Sequence, residues 1–148
     1  MIEQLIDFHG RMFAVTEQVE PYLRGEAADP LQVGAARLRQ ARLITAHQLF
    51  VHREVFEPII ACGSLAQVGH AKALKVECIA LAESFRLYAR RWALEDVEAH
   101  WSEYQPTALS FIDRIRGQIT NITALAAPLV DVDAEYRLAR DPSARRAA

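Results

Sequence analysis

Five histidines, at positions 9, 47, 52, 70 and 100, are the side chains of this sequence best suited to hold a metal ion or carry a proton near neutral pH. Two of them interrupt apolar helical stripes. His9 falls between Leu5 and Met12, and His47 between Ile44 and Phe50. A polar group in such a place is informative, because burying it costs free energy unless a partner is supplied. Glu54 follows His47 by seven residues, so on a regular helix it shares that face, about 20° away around the axis. His52 follows His47 by five residues, about 140° around, so a regular helix does not let those two histidines hold one ion. His70 lies one turn before Leu74 and His100 one turn before Tyr104. Histidines and carboxylates projecting inward from several helices are how bundles build iron sites, since imidazole suits iron and carboxylates offset its charge. A buried histidine bonded to another protein group is the alternative at each position.

Other chemistry has no carrier in the sequence. No phosphate-cradling glycine loop, nucleophile elbow or paired-carboxylate motif is present, so no catalytic residue is assigned and a non-enzyme is expected. Seventeen Lys and Arg against nineteen Asp and Glu leave a formal charge of −2, which gives nucleic acid or anionic lipid no overall pull. Arg37, Arg39 and Arg42, and again Arg86, Arg90 and Arg91, read as solvated helix faces. Cys62 and Cys78 do not form a disulfide framework; they read as buried free thiols, with a bridge or redox pair as the alternative. The start MIEQLIDFHGRMF carries acids and a histidine where a signal peptide would be basic and then continuously apolar, and no apolar run is long enough to span a membrane. A cytoplasmic location is expected.

The elements that must position these residues are helices. Apolar residues recur at three- and four-residue spacing in four long segments, and nowhere do they alternate with a period of two. The first segment places Ile2, Leu5, Ile6, His9, Met12, Phe13, Thr16, Val19 and Leu23 on one face and closes at Gly25. The second opens with Asp29 as N-cap and Pro30 as first helical residue, runs through His47 and Ile59 to Cys62, and stops at Gly63. The third, from about Ser64 to Trp92, carries Leu74, Cys78, Leu81, Phe85, Tyr88 and Trp92 as a bundle seam. The fourth holds Val97, Trp101, Tyr104, Ala108, Phe111, Ile112, Ile115, Ile119 and Ile122, with a kink or late start at Pro106, and is expected to stop before Pro128. An all-α, antiparallel up-down-up-down four-helix bundle over residues 1–128 is the economical way to hide four stripes in one core. Residues 129–148 read as a C-terminal extension: a short surface helix around Val132 to Arg140 and then a frayed tail.

Four stretches, LIDFHGRMF, TAHQLFVHREVFEPII, VECIALAESFRLYARRW and WSEYQPTALSFIDRIRGQITNITALAAPL, together resemble a hemerythrin-like domain of the HHE cation-binding kind. The resemblance covers roughly residues 1–128 and is most specific at Glu77, Leu81, Phe85, Tyr88, Arg91, Trp92, Trp101, Tyr104 and Thr107, whose spacing is similar to that of a bacterial subgroup. It implies an antiparallel four-helix bundle around a non-haem iron pair that binds dioxygen, nitric oxide or peroxide, with His9 matching the first-helix histidine. On the second helix, aligning on Pro58 puts Gln48 and His52 where the family has a His and then a Glu. His47 is then one residue out of register, unless a bulge or a different anchoring restores it. On the fourth helix, Arg114 and Gln118 stand where the family has a His and then a Glu.

Those departures have a chemical consequence. Arginine offers no lone pair and an amide is a poor substitute for a bridging carboxylate, so the iron pair is expected to be lost and no cofactor required. The chain then reads as a non-catalytic binding or regulatory module, with a protein partner or a second copy docking through a helix face. The alternative is an iron-binding domain that senses or carries dioxygen or nitric oxide, its metal held by some of His9, His47, His52, His70 and Glu77. If the metal is gone, Arg114 is expected to reach inward and pair with Glu54 or Glu77, with Gln118 and His9 completing a core polar network. The alternative is that Arg114 snorkels to water beside its apolar neighbours.

Overall fold

The computed structural model describes residues 1–26 and 28–140, with side chains described as far as Leu129. Among the described residues the chain is helical and no strand occurs. Helix α1 spans Ile2–Leu23, α2 Pro30–Val51, α3 Glu57–Cys62, α4 Leu65–Leu94 and α5 Trp101–Arg140. The four long helices form a ring of contacts in which α1 packs on α2 and α5, and α4 packs on the same two. No described helix is long and apolar enough to cross a membrane.

The starts of α2 and α4 follow from capping chemistry. The Asp29 carboxylate accepts the Gln32 backbone N–H at 3.2 Å, with Pro30 needing no acceptor for a missing N–H. Ser64 and Gln67 cap each other reciprocally: the Ser64 hydroxyl accepts the Gln67 N–H, and the Gln67 side chain accepts the Ser64 N–H. Arg37 ties α2 to the far elements by donating to the Trp92 carbonyl at 3.1 Å and to the Tyr104 hydroxyl at 3.3 Å.

Three expectations change. The second segment is not one α-helix to Cys62, because residues His52–Phe56 form a π turn in which the Glu57 N–H reaches the His52 carbonyl, five residues back. Its cause lies in the core. Val51 and Phe56 are five residues apart and would sit about 140° from each other on a regular helix, yet both are fully buried. One extra residue in the turn rewinds the chain enough to bring both inward. The fourth helix does not stop before Pro128 but continues unbroken to Arg140. A proline there removes a single backbone hydrogen bond, and Leu129 beyond it still packs on the core. The separate short helix expected from Val132 to Arg140 is thus part of α5, and the tail expected after it lies outside the described residues. Finally, Ile6 and Phe13 of α1 are exposed while Val15, not expected, is buried.

Gly63 joins α3 to α4 at close quarters. Its N–H donates to the Ile59 carbonyl at 2.7 Å, and a Cβ built there would lie 2.6 Å from that same oxygen. Backbone cannot yield as a flexible side chain does, so Gly63→Ala is expected to cost about 2 kcal/mol in urea unfolding. A cost under about 0.5 kcal/mol would mean that the connection relaxes freely.

The core falls into two apolar clusters. One gathers Met12, Val15, Val19, Val33, Ile44, Leu81, Phe85, Tyr88, Trp92, Tyr104, Phe111 and Ile115. The other gathers Leu5, Phe50, Val51, Phe56, Ile59, Leu74, Cys78, Ile122 and Leu125. On α1 the division falls between Leu5 and Met12, and on α2 between Ile44 and Phe50. His9 and His47 occupy those gaps.

Candidate functional site

The two inward histidines meet. His9 Nε2 and His47 Nε2 lie 3.0 Å apart, with ring centroids 5.1 Å from each other, and His47 is only 1% exposed. The direction of this hydrogen bond follows from the groups beyond it. On α5 the Thr123 hydroxyl spends its one proton on the Ile119 carbonyl at 2.7 Å, so it can only accept from His9 Nδ1, 3.2 Å away. His9 therefore carries its proton on Nδ1 and presents a lone pair at Nε2, which must accept from His47 Nε2–H. The result is a directed chain from His47 through His9 and Thr123 to the α5 backbone, linking three helices across the polar layer between the two apolar clusters.

Both imidazoles are neutral near pH 7. Burial pushes His9 down to about 4, and burial together with the positive charge His9 would carry pushes His47 down to about 3. Phe8 closes one side of the pair, edge-on to the His47 ring at 6.1 Å.

The other expected ligands do not join them. His52, half-buried at the head of the π turn, lies against Phe56, and its Nε2 is enclosed without a hydrogen-bond partner. Burial, followed by the charge of Lys75, lowers its pKa. His70 and Glu77 are exposed on α4. His100 is exposed, and its Nδ1 lies 3.0 Å from the Asp96 carbonyl. Among the described residues, no three His, Cys, Asp or Glu side chains come together as metal ligands would.

The expected core network of Glu54, Glu77, Arg114 and Gln118 is corrected in its place and its bonding. Glu54 pairs with its neighbour Arg53 at 2.6 Å. Arg114 is exposed, its guanidinium 5.5 Å over the Phe111 ring, because a flank position lets the long side chain lie along the apolar surface and keep its head in water. Glu77, Arg114 and Gln118 do come to one place, but it is a half-open groove of about 320 Å³ between α4 and α5. Ala80, Leu81, Gly117 and Asn121 complete its lining.

The thiols are both free: Cys78 is buried, which pushes it up to about 12, whereas Cys62 is exposed, contrary to the reading of both as buried. Among the described residues, the ion pair most enclosed between helices joins Arg116 of α5 to Glu20 of α1. Arg116, then Arg24, holds the Glu20 carboxyl at about 2. Neither the histidine pair nor the groove could be found from spacing within one segment, since each needs residues from helices far apart in the chain.

Compared with models of known protein families, with curated proteins and with solved structures, the chain matches none.

Proposed function

We propose that this chain is a non-catalytic binding or regulatory module, an up-down-up-down bundle of the hemerythrin-like kind that has lost its iron pair. The observation that carries the reading is the His9–His47–Thr123 chain: the inward histidines spend their ring nitrogens on each other and on a hydroxyl, and no carboxylate reaches them. An iron pair needs several histidines and bridging carboxylates, and this donor set does not fit it. The antiparallel arrangement is supported by the way the ends share clusters: Leu5 with Phe50 and Leu125, Leu23 with Val33 and Tyr104. The π turn supports the resemblance itself, since one extra residue between His47 and Pro58 is what the family register needs to bring His47 to a ligand position.

A role in binding a partner is supported by two lines of exposed aliphatic residues. Leu31, Leu38 and Leu49 fall within about 20° of one line on α2, and Val76, Leu87 and Leu94 do the same on α4. A partner helix or a second copy of the chain fits such a line.

One observation favours a second reading, a single bound metal. Two imidazole nitrogens each about 2.1 Å from one ion, at about 90°, would stand about 3.0 Å apart, the separation found for His9 and His47. His9 is also oriented as a ligand would be, its Nδ1–H held by Thr123.

Metal analysis of protein purified without chelator decides between these readings. Far less than one iron or zinc per chain is expected, and added ferrous or zinc ion should leave the melting temperature nearly unchanged. About two irons per chain would overturn the proposal. A rise of several degrees with added metal, equivalent to about 2.7 kcal/mol at a hundredfold excess over Kd and abolished in His9→Ala, would establish the second reading.

A further inference from the structure

The groove between α4 and α5 goes beyond that reading and stands whether or not the histidine pair takes a metal. Its deepest polar group is Gln118, 7% exposed and without a hydrogen bond to any described residue. Its amide atoms are not sealed from solvent, so they are free to bond to what fills the groove. Arg114 stands on the α5 wall and Glu77 on the α4 wall; among the described residues neither has an ion-pair partner, and they are not paired with each other. Opposite charges across an open space, with amides from Gln118 and Asn121 between them, suit a small molecule that carries both charges. The remaining walls, Ala80, Leu81 and the backbone at Gly117, are apolar, and a volume of about 320 Å³ is enough for a metabolite of amino-acid size.

The geometry points to this groove as a binding site for a free α-amino acid with an aliphatic side chain. Its carboxylate lies on the Arg114 guanidinium, its ammonium on the Glu77 carboxylate, its polar atoms within reach of the Gln118 and Asn121 amides, and its side chain against Ala80 and Leu81.

The test uses L-leucine as the probe, titrated into the full chain while the side-chain amide signals of Gln118 and Asn121 and the backbone amide of Gly117 are followed by NMR. Saturable shifts in these signals are expected at micromolar to millimolar ligand. N-acetyl-L-leucine, lacking the ammonium, and L-leucinamide, lacking the carboxylate, should each bind at least about tenfold more weakly. A Cβ at Gly117 meets nothing within 4 Å, so Gly117→Leu fills the groove without disturbing the helix and should abolish the shifts. Arg114→Gln, at an exposed position, should weaken L-leucine to the level of L-leucinamide. No response to L-leucine, equal responses to all three compounds, or an undiminished response in Arg114→Gln would overturn the assignment.

Discussion

Acidification from pH 7 to pH 5 is expected to remove about 4 kcal/mol of folding stability, most of it through two side chains. His9 and His47 titrate near 6.5 when unfolded, but burial holds them at about 4 and about 3 in the folded chain. Their folded-state values are depressed, so the unfolded chain takes up protons first as the pH falls. Their stabilising contribution is complete above about 6.5 and is lost progressively down to about 3. At pH 5 each histidine accounts for about 1.5–2 kcal/mol of the loss. His52, also depressed by burial, acts in the same direction. Glu20 is separable, because its depressed carboxyl loses its contribution only between its ordinary value of 4.5 and about 2. Urea unfolding at pH 7, 6 and 5 measures the effect. Stability that is flat across this range would mean that the two imidazoles are not enclosed as described.

Replacing both histidines with leucine should restore what replacing either one takes away. His47→Leu leaves the His9 Nε2 lone pair facing hydrocarbon, and His9→Leu does the same to the His47 N–H, so each single change is expected to cost about 1–3 kcal/mol. The double variant joins the two apolar clusters and should come within about 1 kcal/mol of the parent or exceed it, with the pH dependence between 7 and 5 largely gone. The cycle measures the coupling directly. A value near zero would show that the 3.0 Å contact contributes nothing to the fold.

How much of this was legible in the sequence depends on the range of the interaction. The seam of α4 was read residue for residue, Leu74 through Trp92, because its spacing is local and all its members but Cys78 are large. The N-cap at Asp29 was placed from an equally local signal, whereas at Ser64 the sequence marked only an approximate helix start and no cap. On α1, Ile6 and Phe13 sit at the flank of the stripe, where periodicity alone cannot say which side faces a neighbour; Val15 takes the inward place. His9 and His47 were correctly placed inward, but their pairing is a contact across 38 residues that depends on how far α1 and α2 slide past one another. The π turn was equally invisible, since it answers to the burial of Val51 and Phe56 together and not to any local signal. Arg114 was placed on the flank of its stripe, and the error was to send its charge inward when water lay within its reach.

The polar layer also acts as a gauge of alignment. Two smooth leucine-lined helices can slip past each other by one turn, about 5.4 Å, and still bury similar area. Here such a slip would set His9 opposite Leu43 or Val51 in place of His47, and would strand two imidazoles in hydrocarbon at once. The misaligned packings are thus penalised at a single level of the molecule, and the hydrocarbon on either side is left free to vary so long as it remains apolar.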